Sequence, residues 1–488
     1  MAELRHYIAV DLGAESGRVM LGAVSPENMV LTEAYRFSNE PIKVDKSLRW
    51  DFNKMFSQIK KGISEAARQC DKPLSGIGVD SWGVDFGLIG DNGRLLENPY
   101  HYRDSRTNGI MAKAFELMPK RQIYNNTGLQ FMQLNTIYQL LSMRLADSQV
   151  LTKAAKLLFT ADLVSYHLCG ELFAEYTLSS TSQLMDMAKG IWSEEIFQRL
   201  SLPLDIMPSV VQAGTVVGTV KENLADEMGC GLVPVIAVAS HDTGCAVAAV
   251  PAGTHNWAYI SSGTWSLMGI ETTKAIITDK TFEYEFTNEG GVSGTIRLLK
   301  NIMGLWLVQE CRRQWQRDGD ELSYDQLTAM AQKSEPFAAY IDPSCADFLA
   351  PGDMPSRINQ YLAKTAQRQI NDKGLMVRAI LESLAFVYRQ VMEQIEDISG
   401  EKIDVLHIVG GGIKNRLLCQ FAANATGKKV LAGPVEATAG GNIIIQAMAC
   451  GRIKSLSQAR ELVRNSFEVT EYLPADTAKW TERYAEIS

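Results

Sequence analysis

One local pattern occurs twice in this chain and constrains its fold more than any other feature. A short apolar run, Tyr7 to Val10, is followed by a polar turn with glycines at residues 11–18 and by a second apolar run, Val19 to Val24. The same succession recurs over residues 257–270. Strand, glycine-bearing turn and strand is a common succession, so chance similarity stays open as the alternative. The second copy begins near the midpoint of the 488 residues, which favours two related halves.

The length of the chain also indicates more than one domain. A chain of 488 residues exceeds one ordinary hydrophobic core, and we expect two large lobes. The segment Pro251-Ala252-Gly253-Thr254, just before the second copy, is typical of a loop or a domain junction. We therefore predict two domains, residues 1–248 and residues 249–488.

Short apolar runs alternate with helical segments along the chain. Helical spacing is clearest from Leu375 to Ile398, where apolar residues recur every three or four positions. Further strand candidates are Ile77 to Val79, Val84 to Ile89, Val235 to Val238 and Val405 to Val409. This alternation predicts an α/β fold with mixed sheets.

Composition and charge argue against several classes of protein. The formal net charge is −8 without a dense run of Lys and Arg, which argues against a nucleic-acid or anionic-membrane partner. The longest mostly apolar stretch, Leu232 to Pro251, carries polar residues 240–243 at its middle, so it predicts a buried strand, an active loop and a helix, not a membrane span. The apolar run near the start is too short for a secretory signal. We expect no signal peptide and a cytoplasmic location.

The cysteines and histidines show no metal-binding or disulfide pattern. The eight cysteines are scattered, with no C-x-x-C pair and no histidine at zinc-finger spacing. Free thiols in a reducing compartment are the expectation. Any metal ion should arrive with a nucleotide.

The first polar turn has the groups needed to bind a phosphate. Gly13 and Gly17 bring backbone N–H groups close to an anion, Ser16 supplies a hydroxyl and Arg18 a cation. Asp11 would repel a bare phosphate, but a divalent cation can bridge a carboxylate to phosphate oxygens. The alternative is a plain glycine hairpin.

Two later turns complete a set of phosphate and nucleotide loops. Residues 261–266 offer hydroxyls and one glycine without an acid, so they could contact phosphate directly. Three glycines, 410–412, follow a strand candidate and precede a helix predicted to begin near Arg416, which favours an adenosine contact. Asn415 stands where a dinucleotide fingerprint needs its third glycine, and the Walker pattern is absent from the sequence.

Asp242 is the sharpest single candidate for catalysis. It follows the apolar run Val235 to Val238 in the segment Ser240-His241-Asp242-Thr243-Gly244. A positioned Asp can accept the proton of a hydroxyl during phosphoryl transfer. A helix cap is the alternative role.

Three further segments combine small, aromatic and polar residues. Residues 80–85 and 299–306 are predicted to form the wall of a sugar pocket, while burial of Trp82 and Trp306 in the core is the alternative. The charged turn at residues 102–107 predicts an ion pair at the surface of a lobe.

In this order, the segments resemble the FGGY carbohydrate kinases, relatives of the actin-like ATPases. The resemblance is carried by DLGAESGR at 11–18, HDT at 241–243, SSGTWS at 261–266 and GGG-x-x-N at 410–415. It implies two actin-like, ribonuclease H-like ATPase lobes with a cleft between them. The segments correspond to a phosphate loop, the base, a second phosphate loop and an adenosine loop.

Longer segments resemble the branch of that family that acts on L-rhamnulose more than its glycerol, xylulose or fuculose kinases. They are VDSWGVDF, YRDSRTNG, YISSGTWSLMG, TNEGG, LKNIMGLW and HIVGGG. The resemblance implies transfer from ATP, with Mg²⁺, to the C1 hydroxyl of L-rhamnulose in L-rhamnose catabolism. The expected partners are a ketose and ATP, and the expected assembly is a monomer or a homodimer.

The resemblance also implies a role for individual residues. The implied ATP contacts are Ala14, Glu15, Ser16, Gly17, Arg18, Thr264, Gln309 and Gly411, with Asp11 near the metal. The implied proton acceptor is Asp242, and the implied sugar contacts are Gly83, His241, Asp242, Thr243 and Asn301. Closure of the lobes is expected to expel water and align the reactants. Two alternatives remain, a sugar-responsive ATPase or regulator on the same fold and a kinase for another ketose such as L-fuculose or L-xylulose.

Overall fold

The computed structural model describes residues 4–253 and 256–487, which form two compact units. The first unit runs to Ala249 and also includes Glu271–Leu298 and Ala437–Ser466; the second comprises the remaining described residues. The predicted boundary after residue 248 lies next to the first change of unit, but the return of two later segments to the first unit had no signal in the sequence. Thr254, part of the predicted junction, lies outside the described residues.

The strands vary from two to ten residues in length. They are β1 (Arg5–Leu12), β2 (Ser16–Val24), β3 (Met29–Ser38), β4 (Ile42–Val44), β5 (Ser47–Arg49), β6 (Leu74–Ser81), β7 (Phe86–Gly90), β8 (Ala154–Phe159), β9 (Ala174–Glu175), β10 (Met185–Asp186), β11 (Ile191–Trp192), β12 (Val210–Val211), β13 (Thr215–Thr219), β14 (Pro234–Ala237), β15 (Trp257–Ser262), β16 (Trp265–Thr272), β17 (Thr287–Gly290), β18 (Ile296–Met303), β19 (Val405–Val409), β20 (Lys429–Ala432) and β21 (Thr470–Tyr472).

The helices alternate with these strands. They are α1 (Phe52–Arg68), α2 (Ile110–Leu117), α3 (Lys120–Thr127), α4 (Thr136–Leu145), α5 (Gln149–Thr152), α6 (Thr160–Cys169), α7 (Tyr176–Ser179), α8 (Glu194–Arg199), α9 (Glu222–Met228), α10 (Asp242–Ala248), α11 (Asp279–Glu283), α12 (Trp306–Arg317), α13 (Tyr324–Lys333), α14 (Met354–Lys364), α15 (Lys373–Ser399), α16 (Arg416–Thr426), α17 (Ala437–Ala449), α18 (Leu456–Ser466) and α19 (Thr477–Ile487).

The first unit is built on a six-stranded mixed sheet in the order β13–β14–β6–β1–β2–β3. Strand β1 pairs antiparallel with β2 and parallel with β6, which in turn pairs parallel with β14. Residues Tyr7 to Leu12 of β1 are all buried, because helices cover both faces of a central strand in such a sheet. Helix α1 turns Phe52, Ile59 and Ile63 inward to the same core.

The sheet of the second unit repeats this topology. Neighbouring strands wholly or mainly in that unit have the order β18–β16–β15–β19–β20–β21. Strand β15 pairs antiparallel with β16 and parallel with β19, β19 pairs parallel with β20, and β20 pairs antiparallel with β21. Strands β1, β6, β14 and β13 have the same senses in the first sheet. The prediction of two related halves is therefore confirmed at the level of sheet order.

Most of the predicted elements are present, with shifted ends. Helix α15 extends the predicted segment at both ends, from the cap at Asp372, whose carboxylate accepts a hydrogen bond from Leu375 N at 2.7 Å, to Gly400 at φ 73°. The strand predicted from Val84 begins only at Phe86, because Val84 has φ 70° and donates its N–H to Thr181 Oγ1. Residues 232–251 form a buried strand, a loop and helix α10, as predicted.

Two further expectations concern the cysteines and the membrane. All eight cysteines are free thiols, as their spacing predicted. Within residues 4–253 and 256–487, no helix combines the length and the apolar character that crossing a bilayer requires.

Candidate active site

Three carboxylates lie at the carboxyl ends of adjacent parallel strands of the first sheet. Asp11 is the penultimate residue of β1 and stands opposite Asp80 of β6 in the strand register. The loop after β14 continues beside β6, since Ser81 forms a parallel bridge with His241, and the next residue is Asp242. The carboxyl ends of parallel strands are where ligands bind in α/β sheets. The fold thus brings together acids that are far apart in the sequence.

Asp242 is held by its own helix and remains open to solvent on one side. It is the first residue of α10, and His241 is the N-cap, so Asp242 is not the cap that the sequence left open as an alternative. Its Oδ1 accepts hydrogen bonds from Thr243 N at 2.5 Å and Thr243 Oγ1 at 3.1 Å. A third of the side chain is exposed. Burial of the rest raises the pKa of Asp242; His241 opposes the shift and Asp11 adds to it.

Asp80 is a fully buried acid beside this carboxylate. Asn442 Nδ2 donates to its Oδ2 at 2.6 Å, while its Oδ1 is buried and has no hydrogen-bond partner among the described residues. Burial raises the pKa of Asp80 well above the usual range, and the neighbouring Asp11 and Asp242 raise it further. Asp11 in turn forms an ion pair with Arg18 across the β1–β2 hairpin. The sequence assigned the segment of Asp80 to a pocket wall and missed this residue individually.

A buried glutamate holds the backbone of the loop that carries Asp242. Glu175 Oε2 accepts hydrogen bonds from Ser240 N at 3.1 Å and from Thr177 Oγ1 at 2.6 Å. Thr177 Oγ1 accepts the N–H of His241 at 3.2 Å. Burial raises the pKa of Glu175 to about 7, against the effect of these hydrogen bonds. Sequence analysis gave no signal for Glu175.

A buried ion pair contacts the ring of His241. Glu289 Oε2 lies 3.0 Å from His241 Nδ1 and 3.0 Å from Arg297 Nη2. On the other side of the ring, His241 Nε2 lies 3.5 Å from Asp242 Oδ1. Burial acts to raise the pKa of Glu289, but the charges of His241 and Arg297 outweigh it and the pKa is lowered. Glu289 occurs in the TNEGG segment, whereas Arg297 had no signal.

The first polar turn is a hairpin whose backbone is supported from behind. Gly13 N donates to Ser16 O at 3.0 Å, and Asn39 Nδ2 donates to Gly13 O at 2.9 Å. A Cβ on Gly17 would lie 2.2 Å from the ring of Phe37, so any other residue there would displace that ring. Residues Ala14 and Ser16 are half-buried and Glu15 is exposed. The predicted phosphate contacts therefore have an accessible, ordered backbone.

The second unit holds the equivalent turn and the triple glycine. Gly304 N and Trp306 N donate to Thr264 O at 3.1 and 3.2 Å, which ties the turn after β15 to the start of α12. A Cβ on Gly412 would lie 2.0 Å from Ser262 Oγ, whereas a Cβ on Gly411 would meet nothing within 4 Å. Gly411 is exposed, so the open side of this backbone faces away from the protein.

Two predicted contacts of the second unit lie on β18 and α12. Asn301 is in β18 and Gln309 is in α12, and both are half-buried. Gln309 Oε1 is buried without a hydrogen-bond partner within the described chain. An acceptor in this condition is costly unless a ligand satisfies it.

The predicted site residues thus fall into two groups. Asp11, Ala14, Glu15, Ser16, Gly17, Arg18, Gly83, His241, Asp242 and Thr243 lie in the first unit, and Thr264, Asn301, Gln309 and Gly411 lie in the second. Trp82 and Trp306 are both buried and donate their N–H groups to protein oxygens, as the core alternative required.

One expectation about the charged turn is wrong. The ion pair of Asp104 with Arg106, 3.9 Å apart, is buried and not at a surface, since the guanidinium stacks 3.7 Å above the ring centre of Tyr100 and donates to Gln139 Oε1. The alternating charges of this short turn gave no indication in the sequence that the side chains are packed in this way.

The structure has two sheets of equal topology, each with a glycine-bearing hairpin, and a carboxylate at the strand ends. These features define the class of two-lobed sugar kinases. The chain belongs to the FGGY family of carbohydrate kinases: residues 6–249 match the N-terminal domain of that family and residues 258–450 match its C-terminal domain. The protein is accordingly a kinase that uses ATP to phosphorylate a sugar.

Relatives and solved structures agree with this membership. The chain is 43% identical over 480 residues to a rhamnulokinase of Bacteroides thetaiotaomicron, covering 98% of each chain. It is 36% identical over 475 residues to a rhamnulokinase of Bacillus subtilis, covering 97% of this chain and 96% of the relative. Its fold is similar to that of a ligand-bound xylulose kinase from Lactobacillus acidophilus, with a TM-score of 0.82, 16% identity and coverage of 99% and 96%.

Proposed function

We propose that this protein transfers the terminal phosphoryl group of ATP to the C1 hydroxyl of L-rhamnulose, giving L-rhamnulose 1-phosphate and ADP in L-rhamnose catabolism. The observation that carries the proposal is the partly exposed Asp242 carboxylate at the ends of the parallel strands. The similarity over nearly full length to two rhamnulokinases supports the choice of substrate.

Asp242 is proposed to act as the general base. Phosphoryl transfer needs a group that accepts the hydroxyl proton as the oxygen attacks phosphorus. A carboxylate whose pKa is raised is a stronger proton acceptor than an ordinary one. All hydrogen bonds to Asp242 from the described residues fall on Oδ1, which leaves Oδ2 for the proton of the sugar.

The remaining contacts are proposed because the resemblance to the FGGY carbohydrate kinases implies them. Backbone N–H groups of residues 14–17, the Arg18 guanidinium and Thr264 would bind the phosphates. Gln309, with its unsatisfied acceptor, and the open backbone at Gly411 would bind the adenosine. Gly83, His241, Thr243 and Asn301 would contact the sugar beside Asp242. Residues 1–248 would thereby supply the sugar site and first phosphate loop, and residues 249–488 the second phosphate loop and adenosine loop.

Asp11 is proposed to hold Mg²⁺ together with the nucleotide. The neighbouring Asp80 has a buried Oδ1 without a hydrogen-bond partner, and hard cations prefer such carboxylate oxygens. The bound ion would neutralise negative charge on the phosphates. We further propose a cytoplasmic protein that acts as a monomer or a homodimer.

The test is a coupled assay of ADP release with Mg²⁺ and ATP over L-rhamnulose, L-fuculose, L-xylulose, D-xylulose and glycerol. We expect the highest kcat/KM with L-rhamnulose, and a product phosphorylated at C1 by NMR. A higher kcat/KM with another ketose would support the kinase activity and contradict L-rhamnulose as the preferred substrate. If no sugar gave ADP release, the alternative of a sugar-responsive ATPase or regulator would be favoured.

A further inference from the structure

The pair Glu289–Arg297 is buried beside the base without being assigned a role above. Arg297 is fully buried, and Glu289 is 4% exposed. Arg297 Nε donates to Gly290 O at 2.8 Å, so its guanidinium is fixed by the main chain as well as by Glu289. Burying two charges is unfavourable unless the geometry is well satisfied, and such a pair is weak evidence for stability as its purpose.

The geometry around His241 determines which ring nitrogen carries a proton. Nε2 lies 3.5 Å from Asp242 Oδ1, and a lone pair on Nε2 would be repelled by an ionised carboxylate. Nε2 therefore carries a proton when Asp242 is ionised. The other ring nitrogen, Nδ1, is then the atom that gains a proton when the ring becomes charged. Its neighbours must therefore suit it both with and without that proton.

The ion pair accommodates Nδ1 in either state. Arg297 Nη2, at 3.2 Å, can donate a hydrogen bond to Nδ1 when the ring is neutral. Glu289 Oε2 lies 3.0 Å from Nδ1 without a hydrogen bond between the two atoms within the described residues, and its negative charge would stabilise a proton on Nδ1 when the ring is charged. A donor and a negative charge held together at one nitrogen keep the ring in the same orientation whether or not it is charged.

We propose that Glu289 and Arg297 are positioning residues for phosphoryl transfer, which hold His241 so that its Nε2–H points to Asp242 Oδ1. As a consequence, the two oxygens of the Asp242 carboxyl have different roles. Oδ1 is occupied by Thr243 and faces the imidazole N–H, and Oδ2 is directed to the proton of the substrate. This inference rests on the proposed role of Asp242 as the base.

The first experiment is a double-mutant cycle on kcat with Glu289→Gln and His241→Ala. If Glu289 acts through His241, Glu289→Gln alone lowers kcat about tenfold while the KM for ATP is kept, and has less than about a twofold effect in the His241→Ala background. Arg297→Lys, which keeps the charge but not the fork of donors, should behave in the same way. Equal losses in both backgrounds would overturn the proposal.

The second experiment observes the ring directly and needs no substrate. The wild-type protein, labelled with ¹⁵N-histidine, is compared by NMR with Glu289→Gln and Arg297→Lys, and the His241 signal is assigned by its loss in His241→Ala. We expect protonated Nε2 in the wild type and a mixture of tautomers in the variants. An unprotonated Nε2 in the wild type would overturn the proposal even if no variant folds. Because this readout is independent of turnover, its failure is distinct from failure of the proposed activity.

Glu382→Gln is the matched control. Glu382 is 1% exposed and lies 2.8 Å from Arg378, but its contacts are in the second unit and include no histidine. We expect this variant to lower the unfolding temperature, because it leaves the Arg378 charge without its buried partner, and to keep kcat and the histidine spectrum. A fall in kcat equal to that of Glu289→Gln would assign both effects to stability and contradict the positioning role.

Discussion

At the scale of single residues, the site brings acids close together at a cost in solvation. Asp11 and Asp242 raise the pKa of Asp80, and Asp11 also raises the pKa of Asp242. Asp11 has the Arg18 guanidinium, Asp80 has only the Asn442 amide, and Asp242 keeps contact with solvent. Burial is the largest cause of the raised pKa of both Asp80 and Asp242, and it outweighs the opposing charges of Arg18 at Asp80 and His241 at Asp242.

Asp242→Asn tests the base with almost no change of shape. An amide cannot accept the hydroxyl proton, and general-base catalysis contributes roughly 10²–10⁴-fold, so kcat should fall within that range. The affinity for ATP, measured by titration calorimetry, should stay within about twofold because no proposed nucleotide contact is lost. Unchanged turnover in this variant would refute the assigned base.

At the scale of elements, the glycine turns are specified by close contacts. The turn after β19 passes so near Ser262 that the Gly412 position has no room for a Cβ, while the adjacent Gly411 position is open. The two glycines therefore have different roles. One permits packing of the turn against β15, and the other leaves backbone free for a ligand.

Alanine at each of these two positions separates packing from binding. Gly412→Ala should lower the unfolding temperature by several degrees, because the contact with Ser262 includes a backbone oxygen 2.9 Å away that cannot rotate aside. Gly411→Ala should leave the unfolding temperature unchanged and raise the KM for ATP. Thermal unfolding and steady-state kinetics measure the two effects, and equal unfolding temperatures for both variants would contradict this assignment.

Glu175 joins β9 to the loop after β14 and makes stability depend on pH. Since its pKa is raised to about 7 in the folded protein, the folded state binds the proton more tightly than the unfolded chain does. The resulting stabilisation is complete below the ordinary carboxyl pKa and is lost as the pH rises through about 7. The loss amounts to about 3 kcal/mol of unfolding free energy.

Glu175→Gln should remove this pH dependence. Between pH 5 and pH 8, the unfolding free energy of the wild type should fall by roughly 2–3 kcal/mol more than that of the variant, measured by urea denaturation. Glu222→Gln, an exposed position at the start of α9, is the control and should follow the wild type. Parallel curves for wild type and Glu175→Gln would show that Glu175 does not titrate in this range.

At the scale of the whole molecule, one sheet plan is used twice for two tasks. The first unit carries the acids and the proposed sugar contacts except Asn301, and the second carries Asn301 and the proposed adenosine contacts. The hairpins β1–β2 and β15–β16 have equivalent places in their sheets but different chemistry, since an acid precedes the first turn and serines flank the second.

The proposed ligand contacts are divided between the two units. We therefore predict that ligand binding changes the arrangement of the units. We expect the radius of gyration, measured by small-angle scattering, to decrease when L-rhamnulose and a non-hydrolysable ATP analogue are both present. Hydrogen exchange should slow in the turns at residues 11–18 and 261–266. Indistinguishable scattering profiles together with unchanged exchange would remove the support for closure.

The sequence by itself determined the local features of this protein. Uninterrupted apolar runs predicted β1, β15 and β19, and three-to-four spacing predicted α15, because burial of a strand or of a helix face requires those patterns. The glycine turns and the strand-end position of Asp242 were equally visible, since they depend on neighbours in the chain. The resemblance of these segments to a known family then implied the sugar kinase fold.

Only the tertiary structure decided which distant groups meet. Asp80 stands beside Asp11 because β6 pairs with β1, and Glu175 contacts the loop of Asp242 from within the segment Met1–Ala249. Glu289 and Arg297 contact this loop because Glu271–Leu298 returns to the first unit. None of these contacts follows a spacing rule, since a pairing between segments leaves no periodic mark on either one. Charge in the turn at 102–107 suggested a surface pair for the same reason, although packing under Tyr100 buries it. Local pattern thus determined the elements and their turns, while long-range packing determined the surroundings, and hence the pKa values, of the catalytic groups.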